Sequence, residues 1–169
     1  MTELLWSDAL ALDLPAMDDT HREFVALLGT ASDAADDALL EAWAALIAHT
    51  DGHFAQEDQW MSQTGFSSGN CHATQHQVVL SVLREGLALG RAGELGAVRR
   101  LAHELAVWFP QHAQSMDAAL ALHLRSVGFD PLTGRVDQPA RLPAAAISGC
   151  GSASCSPASR VATSDDMPA

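Results

Sequence analysis

The 169-residue sequence predicts an all-α fold: an up-down-up-down antiparallel four-helix bundle with an N-terminal arm and a flexible C-terminal tail. Three observations carry that expectation. Apolar residues recur every three to four positions through four long stretches, the period of a helix with one buried face. The links between these stretches are short, so successive helices run antiparallel. No segment alternates apolar and polar residues long enough to make a useful strand.

Residues 1–17 form the arm, with Trp6, Leu10, Leu12 and Leu14 as apolar anchors and Pro15 near its end. A first helix over 19–36 starts from Asp18 or Asp19 as N-cap and carries the stripe His21, Phe24, Val25, Leu28 and Ala31. Polar residues around Asp33 to Asp37 turn the chain into a second helix, 38–63. Its stripe is Trp43, Leu46, Ile47, Thr50, Phe54, Glu57 and Met61, with His53 beside Phe54, and Gly65 is its stop. Residues 65–70 make a tight connection. A third helix over 71–90 puts His72, His76, Val79, Leu80, Leu83 and Leu87 on one face, and Gly90 to Gly93 break it.

The fourth helix, 94–125, carries Val98, Leu101, Leu105, Trp108 and His112, then Asp117, Leu120 and Leu124, and ends at Gly128 and Pro131. The bundle domain therefore covers 1–130. From 131 the composition turns to Pro, Ala, Ser and Gly, with too few large apolar groups to offset the entropy of ordering. Residues 131–169, with Cys150 and Cys155, are expected to be a flexible tail.

Composition narrows the function classes. A formal net charge of −12 repels phosphate backbones and anionic lipid, which argues against nucleic acid and membrane surfaces as partners. No apolar run reaches the roughly 18 residues of a membrane span. The first residues lack the basic start and apolar block of a secretory signal, so the expected location is cytoplasmic. Three cysteines, Cys71, Cys150 and Cys155, do not make the dense even set of a disulfide-stapled domain. The tail pair reads more simply as exposed thiols than as a labile disulfide or thiol relay. With no tyrosine, no tyrosyl chemistry is available.

Seven residues carry the chemistry: His21, His53, Glu57, His72, His76, His112 and Asp117. Most lie on stripes that should be apolar, and burying carboxylates and imidazoles is costly unless they are paired or bind metal. His53 and Glu57 are four residues apart, as are His72 and His76, so each pair shares one helix face. His112 and Asp117 are five apart, and on a regular helix they diverge by roughly 140°. The apolar stripe slips by one residue between them, a slip that a single π-bulge absorbs, and Pro110 already removes a backbone donor nearby. Five imidazoles and two carboxylates are too many donors for one tetrahedral zinc ion. They suit two near-octahedral ions sharing bridging carboxylates, and the mixture of imidazole with carboxylate favours iron, with manganese also compatible. His49, His103 and His123 match no such position and read as boundary or surface residues. Trp43 and Trp60 read as packing.

The segments Met17-Asp18-Asp19-Thr20-His21, His53-Phe54-Ala55-Gln56-Glu57-Asp58, His72-Ala73-Thr74-Gln75-His76 and Trp108 to Asp117 resemble the four metal-binding segments of the hemerythrins, the bacteriohemerythrins above all. The resemblance covers about residues 6–125 and matches in order and spacing at every ligand. It implies a non-haem di-iron centre with an oxo or hydroxo bridge: His72, His76 and His112 on one iron, His21 and His53 on the other, Glu57 and Asp117 bridging. It further implies reversible dioxygen binding for carriage, storage or sensing, with dioxygen held as hydroperoxide at the five-coordinate iron, so an oxygen-binding protein rather than an enzyme. Phe24, Phe54, Trp108 and Leu28 are candidates for the apolar wall of the pocket. Ala113 stands where a larger aliphatic is usual. A wider pocket there would point instead to a redox enzyme acting on peroxide or nitric oxide, or to an iron-handling or repair protein. A bundle that only buffers metal is a third possibility.

Overall fold

The computed structural model describes residues 4–66 and 71–147. Its frame is four rods: α1 (Pro15–Asp33), α2 (Leu39–Thr64), α3 (Cys71–Arg91), and a last rod made of α4 (Leu95–His112), a π-helical segment (Ala113–Asp117) and α5 (Ala118–Val127). Successive rods pack side by side and α1 also packs on α4, which closes the four-helix bundle.

The boundaries follow from local chemistry, with some departures from the sequence expectation. α1 starts at Pro15, whose fixed φ and missing N–H suit a first helical turn. Asp18 is therefore not an N-cap. It sits buried in the first turn and accepts hydrogen bonds from the backbone N–H of Leu12 (2.7 Å) and Leu14 (3.2 Å), folding the arm back onto the helix. Arg125 and Gln114 of the last rod hold the arm from the other side, donating to the carbonyls of Leu12 and Ala9. α2 ends as expected at Gly65, in the left-handed region at φ 72°. Gly90 does not break α3. It is buried within that helix, where a Cβ would meet Leu40 Cδ2 at 2.4 Å, and the chain turns later, at Gly93.

The expected π-bulge is present, spanning Ala113–Asp117. Two apolar clusters fill the bundle. One gathers Leu10, Phe24, Leu28, Trp43, Leu46, Leu83, Val98 and Phe109; the other gathers Leu14, Met17, Trp60, Met61, Phe66, Leu120, Leu124 and Phe129. Trp43 is fully buried and its Nε1–H donates to the carbonyl of Leu83 at 3.0 Å, tying α2 to α3. Along α1 and α2, His21, His53 and Glu57 fall between the stretches that feed these clusters, and on the last rod Asp117 does the same, with His112 at the end of the first stretch.

Residues 131–147, expected to open a flexible tail, are mostly exposed, with Val136, Leu142 and Ile147 packed against the bundle. Phe129–Asp130 (β1) pairs antiparallel with Arg135–Val136 (β2), with Phe129 opposite Val136, so a short strand pair exists where none was expected. The chain then passes through a 3-10 turn at Pro139–Arg141. Leu142 and Ile147 pack against the second cluster, and the N–H of Ile147 donates to the carbonyl of Gly65 at 2.9 Å. A few anchors at the right places do what average composition argued against. Cys150 and Cys155 lie outside the described residues; Cys71, at the start of α3, is disulfide-bonded, whereas the cysteine count had suggested no staple. No helix among the described residues is long and apolar enough to cross a membrane.

Candidate metal centre

All seven predicted residues converge in the middle of the bundle, and all are buried. α1 contributes His21, α2 His53 and Glu57, α3 His72 and His76, and the last rod His112 and Asp117. The four-residue spacing aligns the pairs on α2 and α3. On the last rod the π segment brings Asp117 round to the face of His112, so that Asp117 Oδ1 lies 3.1 Å from His112 Nε2.

The two carboxylates have a common layout. Glu57 Oε1 faces His53 Nε2 (2.9 Å) and His21 Nε2 (3.7 Å), while its Oε2 faces His72 Nε2 (3.3 Å) and His76 Nε2 (3.4 Å). Asp117 Oδ1 faces His72 (2.9 Å) and His112 (3.1 Å), while its Oδ2 faces His21 Nε2 at 3.3 Å. Each carboxylate thus turns one oxygen to the group His72, His76, His112 and the other to the His21 side. The donor atoms form two overlapping sets, Glu57-His72-His76-His112-Asp117 and His21-His53-Glu57.

Whether these residues fit metal can be judged from their hydrogen bonding. Among the described residues, ten buried side-chain nitrogen and oxygen atoms have no hydrogen-bond partner, and all ten belong to these seven residues. Buried polar groups are almost always satisfied, so this concentration marks a place where something other than a hydrogen bond completes them. The short N···O separations mostly lack hydrogen-bond geometry. They match the edges of a coordination shell, since bonds of about 2.1 Å at right angles put neighbouring donors about 3 Å apart. The donor set fits a pair of cations.

Protonation in the metal-free protein tells the same story. Burial resists charging His21, but the facing carboxylates of Asp117 (3.3 Å) and Glu57 (3.7 Å) overcome it and push its pKa up to about 9. The same balance pushes His72 to about 10. Glu57 and Asp117 are held well below the usual carboxylate range: burial opposes this, and the facing imidazoles outweigh it. His112, by contrast, is lowered, chiefly by burial. Protons on His21 and His72 balance the two carboxylate charges where cations would otherwise do so.

The expected wall residues are distributed unequally. Phe54 stacks on the His76 ring (centroids 3.9 Å, 6° between planes), and Trp108, half-buried, stacks on His112 (4.4 Å, 28°). Phe24 is fully buried and stacks on Phe109 at 4.6 Å. Leu28 lies in the same cluster. Phe109 was missed by the sequence reading, yet it is buried and meets His21 edge-on at 5.2 Å. Its position one turn before His112 was the available signal. Also missed were Asp58, whose Oδ1 lies 3.1 Å from His76 Nδ1, and Gln75, whose Oε1 lies 3.2 Å from His112 Nδ1. His49 and His123 stay outside the centre, with Nε2 at 3.2 Å from the Thr20 carbonyl and 3.0 Å from the Thr64 carbonyl; His103 is exposed.

Comparison with known proteins agrees with this geometry. The family model of the hemerythrin HHE cation binding domain matches residues 12–122. The chain belongs to the hemerythrin family. It is 38% identical over 130 residues to the bacteriohemerythrin of Ralstonia nicotianae, covering 77% of this chain and 95% of that one. It is 26% identical over 122 residues to the bacteriohemerythrins of Pseudomonas paraeruginosa and Pseudomonas aeruginosa, covering 70% of this chain and 79% of each of those. No solved structure matches the chain. A buried cluster of histidine, glutamate and aspartate in a hemerythrin domain suits a di-iron oxygen-binding protein.

Proposed function

We propose that this protein binds dioxygen reversibly, for carriage, storage or sensing, at two iron ions held by His21, His53, Glu57, His72, His76, His112 and Asp117. In this reading His72, His76 and His112 hold one iron, His21 and His53 the other, and Glu57 and Asp117 span the two. The observation that carries it is the layout of the carboxylates, each with one oxygen toward either side of the centre. Iron, when bound, supplies the ferrous-to-ferric electron transfer that dioxygen uptake needs. Mixed imidazole and carboxylate donors suit it.

The chain's own residues do the rest. Three imidazoles against two leave the His21 and His53 side with one donor fewer, the place for a small diatomic guest. Phe24 and Phe109 close that side with apolar rings, and Phe54 and Trp108 cover the other. Such walls keep water and stray protons from the centre, which reversible binding requires. Ala113, the residue that suggested a wider pocket, is fully buried in the cluster that holds Phe24 and Phe109.

The test is reconstitution of the metal-free protein with ferrous iron under argon. Admitting air should produce a visible charge-transfer band that fades on return to argon. Two bound irons without such a band, or steady turnover of peroxide or nitric oxide in its place, would overturn the reading.

A further inference from the structure

The five imidazoles are not held alike. All turn Nε2 toward the centre, but their outer nitrogens differ. His76 Nδ1 meets Asp58 Oδ1 at 3.1 Å and His112 Nδ1 meets Gln75 Oε1 at 3.2 Å. The Nδ1 atoms of His21, His53 and His72 are buried without a hydrogen-bond partner. The ring faces repeat the division. His76 lies under Phe54 nearly in parallel, and His112 under Trp108, whereas His21 meets Phe109 only edge-on and His53 is merely tilted against Phe54 at 5.2 Å. Two imidazoles of one group are thus fixed at both edge and face. Those of the other group are fixed at neither.

The two partners are arranged by a simple rule. Asp58 follows Glu57 on α2 and reaches across to His76 on α3; Gln75 precedes His76 on α3 and reaches across to His112 on α4. Each sits one residue from a donor of its own helix and holds a donor of the next. An acceptor on Nδ1–H selects the tautomer whose Nε2 lone pair is free for metal, and it raises the basicity of that nitrogen. A carboxylate does this more strongly than an amide. Asp58 is partly exposed, with its side chain at 36% against 1% for His76, so it stands at the rim of the centre and is not itself a donor to the interior.

We propose that Asp58 and Gln75 are positioning residues that make the His72, His76 and His112 side the first metal position to fill and the last to empty. The proposal rests on the metal reading of the seven residues. It is independent of what gas the centre binds.

Cobalt(II) titration of the metal-free full chain under argon, followed by visible absorption, reads the two positions as they fill. The wild-type protein should load in two steps. Asp58→Ala should weaken the tighter step by about 10- to 100-fold, the usual cost of losing such a partner, and leave the weaker step unchanged. Asp58→Asn, which keeps the shape, should weaken the same step less, and it keeps the test usable if Asp58→Ala unfolds. Gln75→Ala should act on that step by a smaller factor, and Gln75→Glu should tighten it. The absorption of the first cobalt bound should shift in the Asp58 variants, which a purely structural role would not produce. Loading of the wild type in a single step, or equal or no weakening of both steps in the variants, overturns the proposal. Two-step cobalt loading alongside an iron form that fails to take up dioxygen would sink the oxygen reading and leave this one standing.

Discussion

The two apolar clusters and the polar centre between them are equally buried, but they reach that state in opposite ways. In the clusters large apolar side chains pack mainly on one another, and the one polar group on the ring of Trp43 is satisfied by Leu83. In the centre, ten polar atoms are buried without hydrogen bonds. The clusters therefore stabilise the chain whatever is bound. The centre is only partly compensated, by protons on His21 and His72, until cations complete it, because buried polar atoms without partners are unfavourable. The comparison teaches that folding and metal binding are assigned to different layers of one bundle, and it can be broken or sharpened by perturbing each layer alone.

The largest effect should come from Trp43→Ala. It removes a fully buried indole and its hydrogen bond, and should cost about 3–5 kcal/mol in denaturant melts of the metal-free protein. Metal stoichiometry per folded chain should stay the same; a drop would mean that the layers are not separate. Metal loading should act in the other direction. At free metal a thousandfold above its dissociation constant, linkage adds about 4 kcal/mol, read as a rise in melting temperature that a chelator reverses. Glu57→Ala should abolish most of that rise, since Glu57 faces four of the five imidazoles.

Alkaline pH should separate the metal-free and metal-loaded forms next. The pKa of His21 is raised from 6.5 to about 9 and that of His72 to about 10. Their contribution to metal-free stability is fully present below 6.5 and is lost as pH rises through about 9 and about 10. The loss should be on the order of a few kcal/mol. Metal-loaded protein, whose imidazoles have already released their protons, should show no such decline, and loading at neutral pH should release protons into a weakly buffered solution. Melts that stay parallel from pH 6 to 10.5 would contradict the assignment. The smallest effect belongs to the arm: Asp18→Ala removes the acceptor of two backbone N–H groups and should cost about 1–2 kcal/mol, without changing metal content.

Much of this was readable along the chain because it is governed by short-range geometry. Pairs four residues apart share a helix face, so His53 with Glu57 and His72 with His76 follow from counting. The five-residue gap between His112 and Asp117, with the slip in the apolar stripe, led to the π segment that the structure contains. What escaped was contact between elements distant in sequence. Asp18 looked like an N-cap because aspartate before a helix usually is one, yet the arm folds back and claims its carboxylate. Trp108 and Phe109 are neighbours on one helix, and only the packing of α1 decides that Phe109 is the one lying against His21 and Phe24. The segment through Ile147 had the composition of a tail, but a few anchors hold it on the bundle through the end of α2.

By itself the sequence determined the helices, the face each would bury, and the number and kind of donors on those faces, because a periodic backbone turns spacing into direction. Only the tertiary structure decided which carboxylate oxygen faces which imidazole, and which imidazoles are fixed from behind by Asp58, Gln75 and the aromatic rings. Those relations join residues on different helices, and they are set by how the helices pack rather than by the period of any one of them.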